Sequence, residues 1–287
     1  MTITQEIAKA QRAADQVVLP RLPWGRGLLL SAAGLMLLFL TLPLVALVVR
    51  AAETYTTWDL PASGIPEAIL LSAVTTTIAA LLTVIFGTPL AFLLARHHFP
   101  GKALIVTLVQ LPIVLPPAVA GLALLIAFGS QGLLGPSLSS LGVRLPFSTA
   151  AVMMVQVFVA APFYIRAAIA AFEDIPHEIE DAARVDGASE REVFRWVTLP
   201  VVQSALVAGL LLSWSRALGE FGATILFAGN LQGATQTMPL LIFSVLERGD
   251  LDTGIATGLI LVVIALITLM LSQWMLRKRS ALVARKD

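Results

Sequence analysis

Six long apolar runs with few or no charges limit what this chain can fold into more than any other feature. They extend approximately from Leu28 to Val49, Ala68 to Ala95, Ala103 to Phe128, Ser148 to Ala171, Thr198 to Phe227 and Gly254 to Leu276. A helix needs about 20 residues to cross a hydrocarbon core of about 30 Å, and in lipid only helices and closed barrels satisfy their own backbone hydrogen bonds. Runs of this length predict an all-α polytopic membrane protein with six transmembrane helices. Composition agrees: 57% of the 287 residues are hydrophobic and 13% charged, with a mean hydropathy of +0.88. So few charges cannot solvate a soluble domain of this size. Cysteine is absent, which removes disulfides and thiolate metal sites.

A seventh apolar stretch, Phe221 to Leu246, is interrupted by Gly229-Asn230-Leu231-Gln232-Gly233. Those turn formers predict a helix end, a loop and a short surface helix rather than another span. Lys and Arg set the orientation. Lys9, Arg12, Arg21 and Arg26 precede the first run, Arg96 and Lys102 lie in the second connection, Arg166, Arg184, Arg191 and Arg195 lie around the fourth, and Arg277, Lys278, Arg279, Arg285 and Lys286 follow the last run. Arg50, Arg144 and Arg248 border the opposite side, and Arg216 falls inside a run. Both termini are therefore expected in the cytoplasm, as six crossings require. The expected division is a cytoplasmic leader (1–27), a membrane domain (28–276) and a basic cytoplasmic tail (277–287). The first run is longer than a signal h-region and follows a polar leader, so it is expected to anchor the chain rather than to be cleaved.

The polar insert from about 173 to 197 has its own local logic. Asp174, Pro176, Glu178, Glu180 and Asp181 put a helix-compatible proline and carboxylates where a first turn leaves amides free. Gly187 suits the left-handed position that ends such a helix, and Ser189 with Glu192 has the spacing of a capping box that starts another. A helix, a sharp bend and a second helix entering the membrane at Leu199-Pro200 are predicted. Ala182, Ala183 and Gly187 strip side-chain bulk from the bend, so another protein can approach its backbone.

The run Asp181-Ala182-Ala183, then Gly187, then Val197-Thr198-Leu199-Pro200 resembles the Glu-Ala-Ala loop of the membrane subunits of ABC transporters. Asp181 stands where that family has Glu, and Val197 where it has Ile. The resemblance implies that Asp181, Ala182, Ala183, Gly187, Leu199 and Pro200 form a coupling element of a type I importer permease, seated in a groove of a separate ATPase subunit. No G-x-x-x-x-G-K-[ST] phosphate loop occurs in the sequence, so ATP and Mg belong to that partner. The chain is expected to be no enzyme and to bind no cofactor of its own.

A second signature is Ser215-Arg216-Ala217-Leu218-Gly219-Glu220-Phe221-Gly222-Ala223-Thr224, followed by Gly229-Asn230 and Thr235-Gln236-Thr237-Met238-Pro239. Ionisable groups at membrane depth are costly and usually face a polar cavity or one another. Arg216 and Glu220 therefore mark either a pathway or a structural ion pair. Glycine amides and the hydroxyls of Ser213, Ser215, Thr224, Thr235 and Thr237 are compatible with a tetrahedral anion.

This stretch is similar to permeases of the molybdate, tungstate and sulfate importers, over about Pro66 to Trp274, and its wording is closest to molybdate permeases. The resemblance implies a substrate pathway through Arg216, Glu220, Gly222, Thr224, Asn230, Thr235 and Thr237. It also implies two ATPase copies, a second permease copy as a homodimer, an extracytoplasmic binding protein and a bacterial inner-membrane location among lipid, with no nucleic acid. The rival class, an ATP-independent transporter or channel, leaves the polar insert unexplained. His97 and His98 point to opposite sides and suit no metal site. Ser72, Thr75, Thr76, Thr77 and Thr83 line a pathway or bond their own helix. Pro112, Pro116 and Pro117 are expected to kink or break the third run.

Overall fold

A computed structural model of the chain describes residues 25–58 and 63–283. Most of the expected leader and the last residues of the tail lie outside them. All regular structure among the described residues is helical. The chain divides after Ala52 into two units. The first is essentially one apolar helix, α1 (Gly25–Thr54), with Pro43 inside it and large side chains such as Leu35, Phe39 and Leu42 exposed. Such a surface is stable only where lipid or protein replaces water.

In the second unit α2 (Ile65–Arg96) starts after Gly64, whose φ of +76° turns the chain, with Pro66 in its first turn. After the bend at Gly101 come α3 (Lys102–Val114) and α4 (Pro117–Phe128), then the short α5 (Gly135–Ser140). Helix α6 (Thr149–Glu173) begins at Ser148, whose hydroxyl accepts the Ala151 amide at 3.2 Å. It is the centre of the unit and packs most extensively against α2 and against α9 (Leu199–Leu218). Between α6 and α9 lie α7 (His177–Val185), one turn of helix α8 (Glu190–Glu192) and a π-helical stretch, Val193–Thr198. The chain closes with α10 (Gly222–Phe227), α11 (Met238–Glu247) and α12 (Leu251–Val283).

Small residues allow the close approach that membrane helices need without a hydrophobic drive between them. Tyr164 of α6 is buried beside Gly87 of α2, where an added Cβ would lie 3.3 Å from its ring, and next to Gly209 of α9. The rings of Phe92 and Phe172 meet edge to face at 5.3 Å, and Phe194 joins them from the π-helical stretch.

Two of the six expected spans differ from uninterrupted helices. The third is two helices, α3 and α4, that meet at 117°. Leu115 is extended because a proline follows it, and Pro117 opens a new helix rather than continuing the old one. The expected break at these prolines is therefore found, as a corner rather than a kink. The fifth, expected from Thr198 to Phe227, stops at Leu218 and restarts at Gly222. The stretch after it has the expected helix end, loop and short helix, α11, but α11 is not a surface helix throughout: Met238, Leu240, Leu241 and Val245 are buried in the core.

Candidate functional site

Two regions carry the expected functional residues. At the first, α7 ends in a Schellman motif. The amide of Ala188 donates to the Ala183 carbonyl and that of Gly187 to the Arg184 carbonyl, both at 3.0 Å. Gly187 has φ +92° and open space where a side chain would begin. The expected capping box follows: the Ser189 amide and hydroxyl donate to the Glu192 carboxylate at 2.9 and 2.6 Å. Arg184 closes the bend by donating to Glu190 at 2.7 and 3.1 Å and to Asp181 at 2.7 Å. These carboxylates, Glu190 foremost, hold the guanidinium pKa above its ordinary value.

The bend is exposed, with Ile179, Ala182 and Val185 at successive turns of α7 presenting an apolar strip to the outside. Asp181, Leu199 and Pro200 are exposed beside it, while Ala183 is half-buried. Leu199 and Pro200 begin α9 directly after the π-helical stretch.

What holds this bend against the membrane helices is Glu180, a residue that sequence reasoning did not single out. It is buried, and its Oε1 accepts from Arg96 Nη2 at 3.0 Å and from Thr198 Oγ1 at 2.6 Å. Arg96 also donates to the Ile175 carbonyl at 3.3 Å. One carboxylate thus ties α7 to the end of α2 and to the last residue of the π-helical stretch, where α9 begins. The only sequence signal was the lone acidic side chain on the inward face of α7, among neighbours of the same charge.

At the second region Arg216 Nη1 lies 2.7 Å from Glu220 Oε2. Helix α9 ends at Leu218, so the pair, four residues apart in sequence, reaches across a helix end rather than along one helix face. Glu220 is 2% exposed, and its other oxygen accepts the Ala223 amide at 2.8 Å. The carboxylate therefore caps α10 while it grips Arg216, and both oxygens are engaged. Arg216 remains 31% exposed. Gly222 packs against the ring of Pro117, 2.7 Å from where a Cβ would stand, and Gly121 lies as close to the Ala223 carbonyl. The α4 corner is thereby locked onto α10.

Of the remaining expected pathway residues, Thr224 lies within α10 and Asn230, Thr235 and Thr237 lie in the loop after it. Asn230 donates to Ser244 Oγ at 2.6 Å and accepts from Gln236 Nε2 at 3.0 Å. The Thr235 hydroxyl accepts the Leu231 amide at 2.9 Å, and Thr149 reaches the Ala234 carbonyl at 2.9 Å. Thr224 and Thr237 are buried, each with a hydroxyl that has no partner among the described residues. Ser72 accepts the Met238 amide at 2.8 Å, and Gln156, buried in the middle of α6, donates to Thr76 at 3.1 Å. Ser72 and Thr76 therefore tie helices together, whereas Thr75 bonds its own helix at Leu71. Gln156 was passed over because a single amide inside an apolar run gives no pattern.

The model for the family described as "Binding-protein-dependent transport system inner membrane component" matches residues 87–280. The chain is 40% identical over 231 residues to the molybdenum transport system permease protein ModB of Mycobacterium tuberculosis, covering 80% of this chain and 86% of that one. It is 35% identical over 242 residues to the probable sulfate transport system permease protein cysT of Nephroselmis olivacea, covering 83% and 85%. Among solved structures, a bacterial alginate ABC transporter in complex with alginate pentasaccharide-bound periplasmic protein has a chain that superposes with a TM-score of 0.70. That likeness is at 20% identity, covers 88% of this chain and 93% of the other, and concerns the fold.

Proposed function

Because the chain belongs to the binding-protein-dependent transport system inner membrane components, the permease subunits of ABC importers, we propose that it carries a tetrahedral oxyanion, molybdate, across the inner membrane as a homodimer. Two ATPase subunits on the cytoplasmic side and an extracytoplasmic binding protein complete the assembly. The observation that carries this reading is the exposed bend at Gly187. It offers a rigid apolar strip, Ile179, Ala182 and Val185, fastened through Glu180 to two membrane helices. A docked ATPase that moves this strip moves the ends of α2 and α9 with it. ATP and Mg are bound and hydrolysed in that partner.

In the membrane, Arg216 supplies the positive charge beside the pathway, and Glu220 holds it in place. Gly222, Thr224, Asn230, Thr235 and Thr237 shape the turn next to it. The choice of molybdate is supported by the 40% identity to a molybdenum permease. Sulfate is the second reading, favoured by the 35% identity to cysT. The test is ATPase activity of the reconstituted complex with binding protein loaded with molybdate, tungstate or sulfate. Stimulation by loaded binding protein with molybdate foremost is expected. Stimulation by sulfate alone replaces the substrate, and ATPase activity indifferent to the binding protein rejects the importer reading.

A further inference from the structure

Helices α3 and α6 enclose a groove of about 590 Å³ at the coupling-loop end of the unit. They run antiparallel there, with Lys102 Nζ and Glu173 Oε1 3.9 Å apart at its mouth. Further along the same groove lie Gln110, half-buried and eight residues into α3, and Arg166, exposed and seven residues before the end of α6. Both are therefore about 10 to 12 Å inside the helix ends. His98 adds a third basic group at the rim, and Glu173 is the single carboxylate.

Arg166 has no hydrogen-bond or ion-pair partner among the described residues. Nor does the side chain of Gln110. A guanidinium set this far into an apolar span is costly and is ordinarily matched by an opposite charge or by water. Glu173 is two turns away and sits beside Lys102. The groove thus combines an unpaired guanidinium, an amide donor, an ammonium and apolar walls.

We propose that this groove is an anion site for a tetrahedral oxyanion group, carried on a phospholipid headgroup or as a free ion, with Arg166 as its main ligand and Gln110 and Lys102 as flanking donors. A planar guanidinium offers paired N–H donors that match two oxygens of such a group, and an amide with an ammonium can reach the others. His97 points away and lines a different groove, so it takes no part. The site lies outside the Arg216 region and does not rest on the identity of the transported ion.

The test uses the full-length chain. Phosphatidylglycerol is titrated and its retention read by native mass spectrometry. In parallel, inorganic phosphate and molybdate are followed by equilibrium dialysis with the protein in phosphatidylcholine nanodiscs. At least one probe is expected to bind saturably, and Arg166→Gln to weaken it by about tenfold or more, the loss of a charged hydrogen-bonding partner, while Arg166→Lys, which keeps the charge and loses the paired donors, weakens it less than Arg166→Gln does. Ala170→Leu fills the groove without changing any charge and gives the same loss if Arg166→Gln does not fold. Retention of phosphatidylglycerol alone assigns the lipid source, and binding of the free ions assigns the soluble one. If every probe binds the unaltered chain no better than it binds Ala170→Leu and Arg166→Gln, the site does not exist.

Discussion

Removing the carboxylate of Glu180 isolates the contribution of the anchor beneath the coupling bend. The side chains of Arg96 and Glu180 are 7% and 4% exposed, so Glu180→Ala strands a buried guanidinium and also frees the Thr198 hydroxyl. Removing one partner of a buried ion pair costs about 3 to 5 kcal/mol. Arg96 keeps the Ile175 carbonyl at 3.3 Å, which places the cost at the low end, about 3 kcal/mol. At about 2 to 4 °C per kcal/mol for a domain of this size, the melting temperature in detergent should fall by about 6 to 12 °C. Glu180→Gln keeps the acceptor for Thr198 and should cost about 1 to 2 kcal/mol. Arg96→Ala should be comparable to Glu180→Ala, and the double variant no worse than the more damaging single, because the pair is lost only once. Trypsin cleavage at Arg184 and Arg191 reports release of the bend directly. Wild-type melting and unchanged cleavage for Glu180→Ala, or additive losses in the double variant, would refute the anchor.

Four further changes test other parts of the molecule. Gly187→Val should strain the positive φ by about 1 to 2 kcal/mol and weaken recruitment of the ATPase, measured by co-purification, whereas Gly187→Asn, which tolerates that conformation, should bind nearly normally. Equal binding by both would remove the bend from the docking surface. Glu220→Gln retains an acceptor for the Ala223 amide, so it should melt above Glu220→Ala, and the double variant with Arg216→Gln should recover stability. If oxyanion uptake recovers as well, Arg216 is a staple and not part of the pathway. Gly222→Ala drives a methyl into the Pro117 ring and should lower the melting point at a cost of about 1 to 3 kcal/mol; an unchanged value would show that α4 and α10 separate freely. Asp250 accepts the Thr253 amide at 3.0 Å at the start of α12, and the Thr253 hydroxyl foremost, with that amide, holds its pKa below the ordinary 3.8. Its contribution is present above that value and fades as pH falls through the lowered one, so the protection factor of the Thr253 amide, its exchange relative to an unstructured amide at the same pH, should stay constant between about pH 5 and 7 and fall once the pH is well below 3.8.

The bend was readable from sequence because each of its determinants is local. Gly187 supplies a conformation that other residues resist, and Ser189 with Glu192 closes a box within four residues. Its anchor was not, since Arg96 and Glu180 are separated by 84 positions and Glu180 is one carboxylate among several. The spans were readable as apolar lengths but not as shapes. Apolar residues continue on both sides of Leu115 and of Gly219, so neither break shows as the end of an apolar run. The prolines announced the first break, and the second depended on a glycine followed by a carboxylate that can cap a new helix.

The same carboxylate shows why charge at membrane depth is an ambiguous sign of function. Glu220 drew attention as an ionisable residue in an apolar run, yet both of its oxygens serve structure, one by capping α10 and one by holding Arg216. Backbone amides left open by a broken span must find acceptors inside the protein, and a carboxylate supplies two. The break creates the need for Glu220, and Glu220 in turn fixes the position of Arg216. Of the pair, the third-exposed guanidinium is then the group with surface left to meet an anion. A change at Glu220 should accordingly act on transport by displacing Arg216, and a transport defect in Glu220→Gln should appear only together with a loss of stability.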